Sequence, residues 1–433
     1  MLMKSENNKT RKKSPKGPRF YSLVIFLTFL AGLGPIIFNL VIDPYEMNDL
    51  VDFGIAKEKI SEKAHYPLWK VTHFPENNAD IVILGDSRAR AMKNKYWHDL
   101  GAGQTYNFAY GGATMLEIYD TFHVVKNSRN LRTLVVGIQL RSFDPDHKGR
   151  MNRVSEAVRL TDNPIKYYSN WFVSGIGVRV LDNAYGDKLN WMAAANPIPS
   201  VYAGEIPGEL EDLLKPVVCA SCLLPENVPA QQHPSASQIE AYYFATRLGV
   251  WQGLWPPITV NRTLPQKYAK QIVTNARSDW RSFEFSESFW SYLVEISNWC
   301  KSHQIKLVFI IPPTIVEMQN RLVEFGHGAL NHHFRERLAQ LGLVVDFDFD
   351  NHVTRDLARF KDAYHFDAKT SKLIVGEILQ LVSTDETVIA QARMRREDII
   401  CPLNLEEISL RIFNEYTEVT EGKSCRIWRG HND

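Results

Sequence analysis

Apolar residues follow two spacings along the chain. Short, mostly apolar runs at 81–84, 106–110, 134–138, 305–311 and 343–346 have the pattern of parallel strands buried on both faces. Between and after them, residues 88–93, 115–125, 289–300, 327–341 and 369–382 carry helix-forming composition or helical spacing, with Gly342 stopping the fourth. Strand and helix alternating at short intervals predict right-handed crossovers, hence an α/β fold with a parallel sheet flanked by helices.

Two stretches break the rhythm. Residues 150–280 are rich in Pro, Trp and Tyr and predict a large insertion of helices and loops. Its aromatic rings suit the faces of sugars, although packing in a core is their commoner fate. Residues 384–433 form a charged tail with no place in the alternation. The expected division is a basic cytoplasmic tail at 1–19, a transmembrane signal anchor at 20–42, a juxtamembrane segment at 43–74, a core split between 75–149 and 281–383, and the insertion and tail.

The anchor rests on local charge. Over the whole chain, 50 Lys and Arg stand against 49 Asp and Glu, which gives no reason to expect nucleic acid as a partner. The first twenty residues, however, hold Lys4, Lys9, Arg11, Lys12, Lys13, Lys16 and Arg19, and residues 21–42 then run without a charge. At about 1.5 Å per residue such a helix reaches roughly 33 Å, enough to cross a bilayer. The run is longer than the core of a cleavable signal peptide, and no small-residue cleavage site follows it. The basic flank belongs in the cytoplasm, so everything from Asp43 onward is expected outside it. The five cysteines permit disulfides there without defining a framework. Cys401 with Cys425 is one possible pair, and Cys300 is the expected free thiol. Cys219-x-x-Cys222 lacks a second ligand pair, so neither metal nor cofactor is expected.

Candidate chemistry begins at Gly85-Asp86-Ser87, where the first buried run ends and a helix opens. Open α/β sheets bind ligands at that edge, which makes Ser87 a candidate nucleophile. A serine needs a base, a group that orients the base, and N–H donors for the developing oxyanion. His365 and Asp362, three residues apart after the last strand, supply the first two. The backbone N–H groups of Ser87 and Gly112 supply the donors, since a residue lacking Cβ allows close approach. Asp-x-x-His occurs three times. Asp120/His123 falls within a helix, whereas Asp144/His147 follows a strand and competes with Asp362/His365. His332 and His333 are expected at the surface.

These blocks resemble the SGNH (GDSL-type) hydrolases. Gly85-Asp86-Ser87 looks like the first block, with Arg88 where leucine is usual. Asn107-Phe-Ala-Tyr-Gly-Gly112-Ala-Thr114 is similar to the second, and Asp362-Ala-Tyr-His365 to the last. The resemblance implies Ser87 as nucleophile, His365 as base, Asp362 as its partner, and Ser87 and Gly112 as oxyanion donors. The family's third block, Gly-x-Asn-Asp, is replaced by Gly137-Ile138-Gln139-Leu140, so Gln139 stands where the third donor would be. The single anchor, Asp43-Pro44-Tyr45 beyond it and a strand closing in Pro312-Pro313 look like the membrane-anchored members of bacterial envelopes, among them alginate O-acetyltransferases and D-alanyl transfer proteins. That likeness implies acyl transfer to an extracytoplasmic glycan beside a multispanning membrane-bound O-acyltransferase. Hydrolysis of the same esters, or an inactive glycan-binding scaffold, are the other readings.

Overall fold

The computed structural model describes residues 18–48, 50–74, 78–146, 152–186, 262–382 and 426–428. Cys219, Cys222, Cys401, Cys425 and His147 lie outside them, as do 187–261 of the expected insertion. The described residues fall into two compact units, one drawn from 1–64 and 159–203, the other from 65–158 and 204–433.

In the first unit a helix runs over Pro18–Ile42, 25 residues with Pro35 inside it. The side chains of 18–20, 24, 25 and 27–31 lie outside the described ones. Among the described residues no helix is long and apolar enough to cross a membrane. Two further helices, Pro164–Tyr168 and Trp171–Tyr185, pack on the end of this one. Asn39 Nδ2 donates to the Tyr168 and Asn170 carbonyls at 2.7 and 3.1 Å. Tyr167 donates its hydroxyl to Asp43 at 2.8 Å. A Cβ on Gly177 would sit 2.8 Å from the Phe38 ring, so glycine there sets how closely the helices approach.

The second unit holds the sheet. β1 (Ile81–Gly85), β2 (Thr105–Asn107), β3 (Thr133–Gly137), β4 (Lys306–Ile311), β5 (Leu343–Asp346) and β6 (Arg426–Trp428) lie in the order β2-β1-β3-β4-β5-β6. The first five are parallel. Every residue of β1 and β3 is buried, as continuous apolar runs covered by helices on both faces require. β6 is antiparallel to β5, so part of the tail that had no place in the alternation forms the sheet edge.

β2 is shorter than the 106–110 run. Asn107 turns the chain out of the ladder: its Oδ1 accepts from Ala109 N–H at 2.9 Å, and its Nδ2 donates to the Ala89 and Met92 carbonyls at 2.9 and 2.7 Å. The expected helix at 88–93 closes after one turn, Ser87–Arg90. A helix at Val316–Glu324 was not among the expected elements. His332 is buried rather than at the surface, 6% exposed, because its face of Gly328–Ala339 turns inward with Phe334, Arg335 and Leu338.

Candidate active site

Two glycines let the turn that carries Ser87 sit against the sheet. Gly85 has φ +135°, a conformation side chains rarely adopt, and it pairs with Gly137 across β1 and β3. A Cβ on Gly85 would lie 2.6 Å from the Gly137 carbonyl oxygen, and one on Gly137 would lie 2.7 Å from Ala89 Cβ. Glycine at both positions therefore brings the short helix down onto the strand ends, with Ser87 as its first residue.

Asp86 caps that helix by accepting from Arg88 N–H at 2.9 Å. Arg88 also donates Nε and Nη2 to Asp86 Oδ2 at 3.3 and 3.1 Å. Burial pushes the Asp86 carboxyl up, but the Arg88 and Arg141 charges and the Arg88 hydrogen bonds outweigh it, holding it well below the usual carboxylate range. Arg88, fully buried beside Ser87, occupies the position at which the sequence departs from the expected leucine.

Ser87 Oγ lies 2.7 Å from His365 Nε2. His365 Nδ1 lies 2.9 and 3.0 Å from the two Asp362 carboxylate oxygens. Ionised Asp362 accepts the Nδ1 proton, which leaves Nε2 free to accept from the serine hydroxyl. Burial raises the Asp362 carboxyl, yet its hydrogen bond and charge interaction with His365 and two backbone N–H donors bring it far below its ordinary value. Those donors, Tyr364 and His365, both reach Oδ1 at 3.0 Å. Lys267 Nζ is 3.3 Å from the other oxygen.

The loop that carries these two residues is braced on three sides. Phe360 and Phe366 form an antiparallel bridge across it. Gln271 accepts from Ala363 N–H at 2.8 Å, and Tyr268 donates to the Phe360 carbonyl at 2.7 Å. The Ile315 N–H after β4 donates to the Ala363 carbonyl at 3.3 Å. The structure thus brings Ser87, Asp362 and His365 together across 278 residues of sequence.

The chain beyond β2 stays against the end of β1. Tyr110 N–H donates to the Gly85 carbonyl at 3.2 Å, and Gly112 follows with φ +67°. Its neighbour Gly111 is held by Arg153, whose Nη2 donates to the Gly111 carbonyl at 3.1 Å. Arg153 in turn grips the fully buried Glu117 through Nε at 2.8 Å and Nη2 at 3.0 Å. Glu117 completes a capping box with Thr114. This brace was missed in the sequence; its one local sign was Thr114-x-x-Glu117.

Gln139, the expected third donor, lies beside the residue that precedes Ser87. Its Nε2 is directed to Asp86 Oδ2 at 3.4 Å. Beyond it, Arg141 Nη1 donates to Asp279 at 2.6 Å and Tyr364 donates its hydroxyl to the same oxygen at 3.1 Å. The guanidinium lies 4.9 Å from the Tyr364 ring centroid. Of the competing pairs, Asp120 accepts from Asn152 at 2.6 Å, His123 lies 3.6 Å from Glu295, and Asp144 accepts from Asp146 N–H at 2.9 Å. None of these contacts leads to Ser87. Among the described residues no group of His, Cys, Asp and Glu is arranged to hold a metal ion.

This arrangement is able to activate a serine hydroxyl by general-base catalysis with an oriented imidazole. Compared with protein-family models and with curated proteins, the chain matches none.

Proposed function

We propose that this chain is a serine acyltransferase of the SGNH type, which takes an acyl group, acetyl as the smallest, onto Ser87 and passes it to a hydroxyl of an extracytoplasmic glycan. The observation that carries the reading is the Ser87–His365–Asp362 chain of hydrogen bonds, 2.7 and 2.9 Å, at the carboxyl edge of a parallel sheet. Ser87 Oγ attacks the acyl carbonyl while its proton moves to His365 Nε2. The N–H groups of Ser87 and Gly112 receive the oxyanion, and the proton returns to the leaving group as the tetrahedral intermediate collapses. An acceptor hydroxyl then gives its proton to His365 and attacks the acyl-serine, which frees Ser87.

The charge-free run at 21–42 behind a basic flank supports an inner-membrane anchor with the catalytic unit outside the cytoplasm. A multispanning membrane-bound O-acyltransferase as acyl supplier belongs to the same reading.

One observation favours hydrolysis as a second reading. The His365 side chain is 39% exposed, so water has a path to the acyl-serine, and water competes with any sugar hydroxyl. Replacing Ser87 by Ala in cells, at equal protein abundance, separates the readings by envelope ester content. Transfer predicts that esters fall, and hydrolysis predicts that they rise. Unchanged ester content would show that the serine does no chemistry.

A further inference from the structure

A small cavity of about 60 Å³ lies on the other side of β1 from Gly112. Its walls come from the residues after β3, β4 and β5, among them Gln139, Arg141, Thr314 and Asp348, with Asn331 and Trp280 closing it. Its wall holds none of Ser87, Asp362 and His365 but reaches their sequence neighbours twice. Gln139 lies 3.4 Å from Asp86, which immediately precedes Ser87, and Tyr364 in the wall immediately precedes His365.

We infer that this cavity is the acceptor subsite and that it takes the hydroxyl-bearing edge of a neutral sugar. The inference rests on the serine acyltransferase reading. Four observations support it. Asp348 Oδ1 accepts from Thr314 N–H, Thr314 Oγ1 and Gln319 Nε2 at 2.8, 2.6 and 3.2 Å, while no hydrogen bond is made by Oδ2 among the described residues. Burial raises the Asp348 carboxyl above its ordinary value, so a neutral O–H donor suits it. Asn331 uses its Oδ1 for Arg335 and keeps Nδ2 as a donor, and Arg141 Nε is buried with no hydrogen-bond partner among the described residues. Acceptor and donors side by side, with Trp280 and Met318 as the apolar part of the wall, match the alternating hydroxyls and C–H faces of a sugar.

Charge and size narrow the ligand. Two carboxylates, Asp279 and Asp348, stand in the wall against the one guanidinium of Arg141, which is committed to Asp279; Arg335 and Arg88 offset part of the Asp348 charge, and its Oδ2 is matched better by a neutral O–H donor than by a uronate or phosphate. At about 60 Å³ the cavity exceeds the ~10–15 Å³ that one water needs, so it has room for part of a sugar. With the oxyanion donor on the β2 side and the acceptor on the β3–β5 side, the incoming hydroxyl reaches the acyl carbon from the side where His365 takes its proton.

The test uses the full chain in detergent with p-nitrophenyl acetate as donor. Methyl glycosides of glucose, galactose and mannose serve as neutral acceptors, and methyl glucuronide as the charged one. Val323→Phe, at another residue of the wall, fills the cavity, and Asn331→Ala removes one donor from it. The expected result is acetyl transfer to at least one neutral glycoside and less than a tenth as much to the glucuronide. Each variant should lower transfer about tenfold through the acceptor KM, with hydrolysis of the donor in water kept within about twofold. If Val323→Phe unfolds, as circular dichroism would reveal, Asn331→Ala carries the comparison. The inference is overturned if no neutral glycoside is acetylated, if glucuronide serves equally well, or if the folded variants transfer like the parent. Ser87→Ala distinguishes the two levels. Its loss of donor hydrolysis keeps the serine reading whatever the cavity variants do, and unchanged hydrolysis removes that reading itself.

Discussion

Gly137→Ala is the sharpest test of how the nucleophile is held. The added methyl would lie 2.7 Å from Ala89 Cβ, with Ala89 Cα and the Leu84 carbonyl oxygen each at 3.6 Å. Only the first distance is a collision, and Ala89 has no rotamer with which to yield. The helix Ser87–Arg90 must lift off the sheet and carry Ser87 away from His365. Overpacking of this kind costs about 1–3 kcal/mol, and a displacement near 1 Å in a reacting group costs on the order of 100-fold in rate. The collision has a single partner, so Ala89→Gly should relieve it. That change alone costs about 1 kcal/mol through helix propensity, yet in the double variant the nearest remaining contact is an ordinary 3.6 Å. Urea unfolding and turnover of p-nitrophenyl acetate on the four proteins close the cycle. The double variant is expected to be more stable and faster than Gly137→Ala, with a favourable coupling of about 1–3 kcal/mol. Strict additivity, or a Gly137→Ala protein as stable and active as the parent, would refute the close-packed turn.

Other predictions concern buried groups around the same site. Asp86 is held below its unfolded value of 3.8, so its stabilisation is fully present above that pH and is lost as pH falls through the lower folded value. The stability gap between parent and Asp86→Asn should therefore hold steady from pH 7 to about 5 and shrink below about 4, and a gap that widens on acidification would contradict this. Glu117→Gln takes the carboxylate away from the Arg153 backbone and guanidinium donors, and breaking a buried pair typically costs about 3–5 kcal/mol. Turnover should also fall as the Gly111–Gly112 turn loosens, and pairing the change with Arg153→Met should recover most of the stability in urea melts. Burial pushes the Cys300 thiol up to about 12, so iodoacetamide at pH 8 should leave Cys300 unlabelled in the native protein and label it once unfolded, as peptide mass spectrometry would read.

How much of this was legible in the sequence follows from the range of each interaction. β1 and β3 were legible because a strand covered on both faces is written as an uninterrupted apolar run. The cluster of Ser87, Asp362 and His365 was legible because Ser87 directly follows β1 and the other two stand three residues apart just before the helix that begins at Ala368. Gln139 was legible as a position but not as an orientation, since only the fold brings Asp86 beside it. The helix Val316–Glu324 was hidden because Glu317, Asn320 and Arg321 are buried on it. Glu317 is partnered by Arg262, 55 residues away, at 2.6 and 2.7 Å, and no periodicity of apolar residues records such a pair. His332 misled because Glu336, one turn along the same helix and 3.2 Å away, pairs with the ring and lets it turn inward. β6 is three residues joined to β5 across a long stretch of chain, too short to stand out from the surrounding charge.

The central claim is that Ser87 carries the acyl group. Intact-mass and peptide analysis of the full chain, quenched in acid seconds after mixing with p-nitrophenyl acetate, tests it directly. The account predicts one acetyl group on the peptide containing Ser87, absent from Ser87→Ala and nearly absent from His365→Ala. Turnover that persists in Ser87→Ala, or an acetyl group found on another residue and chased by acceptor at the rate of turnover, would contradict it.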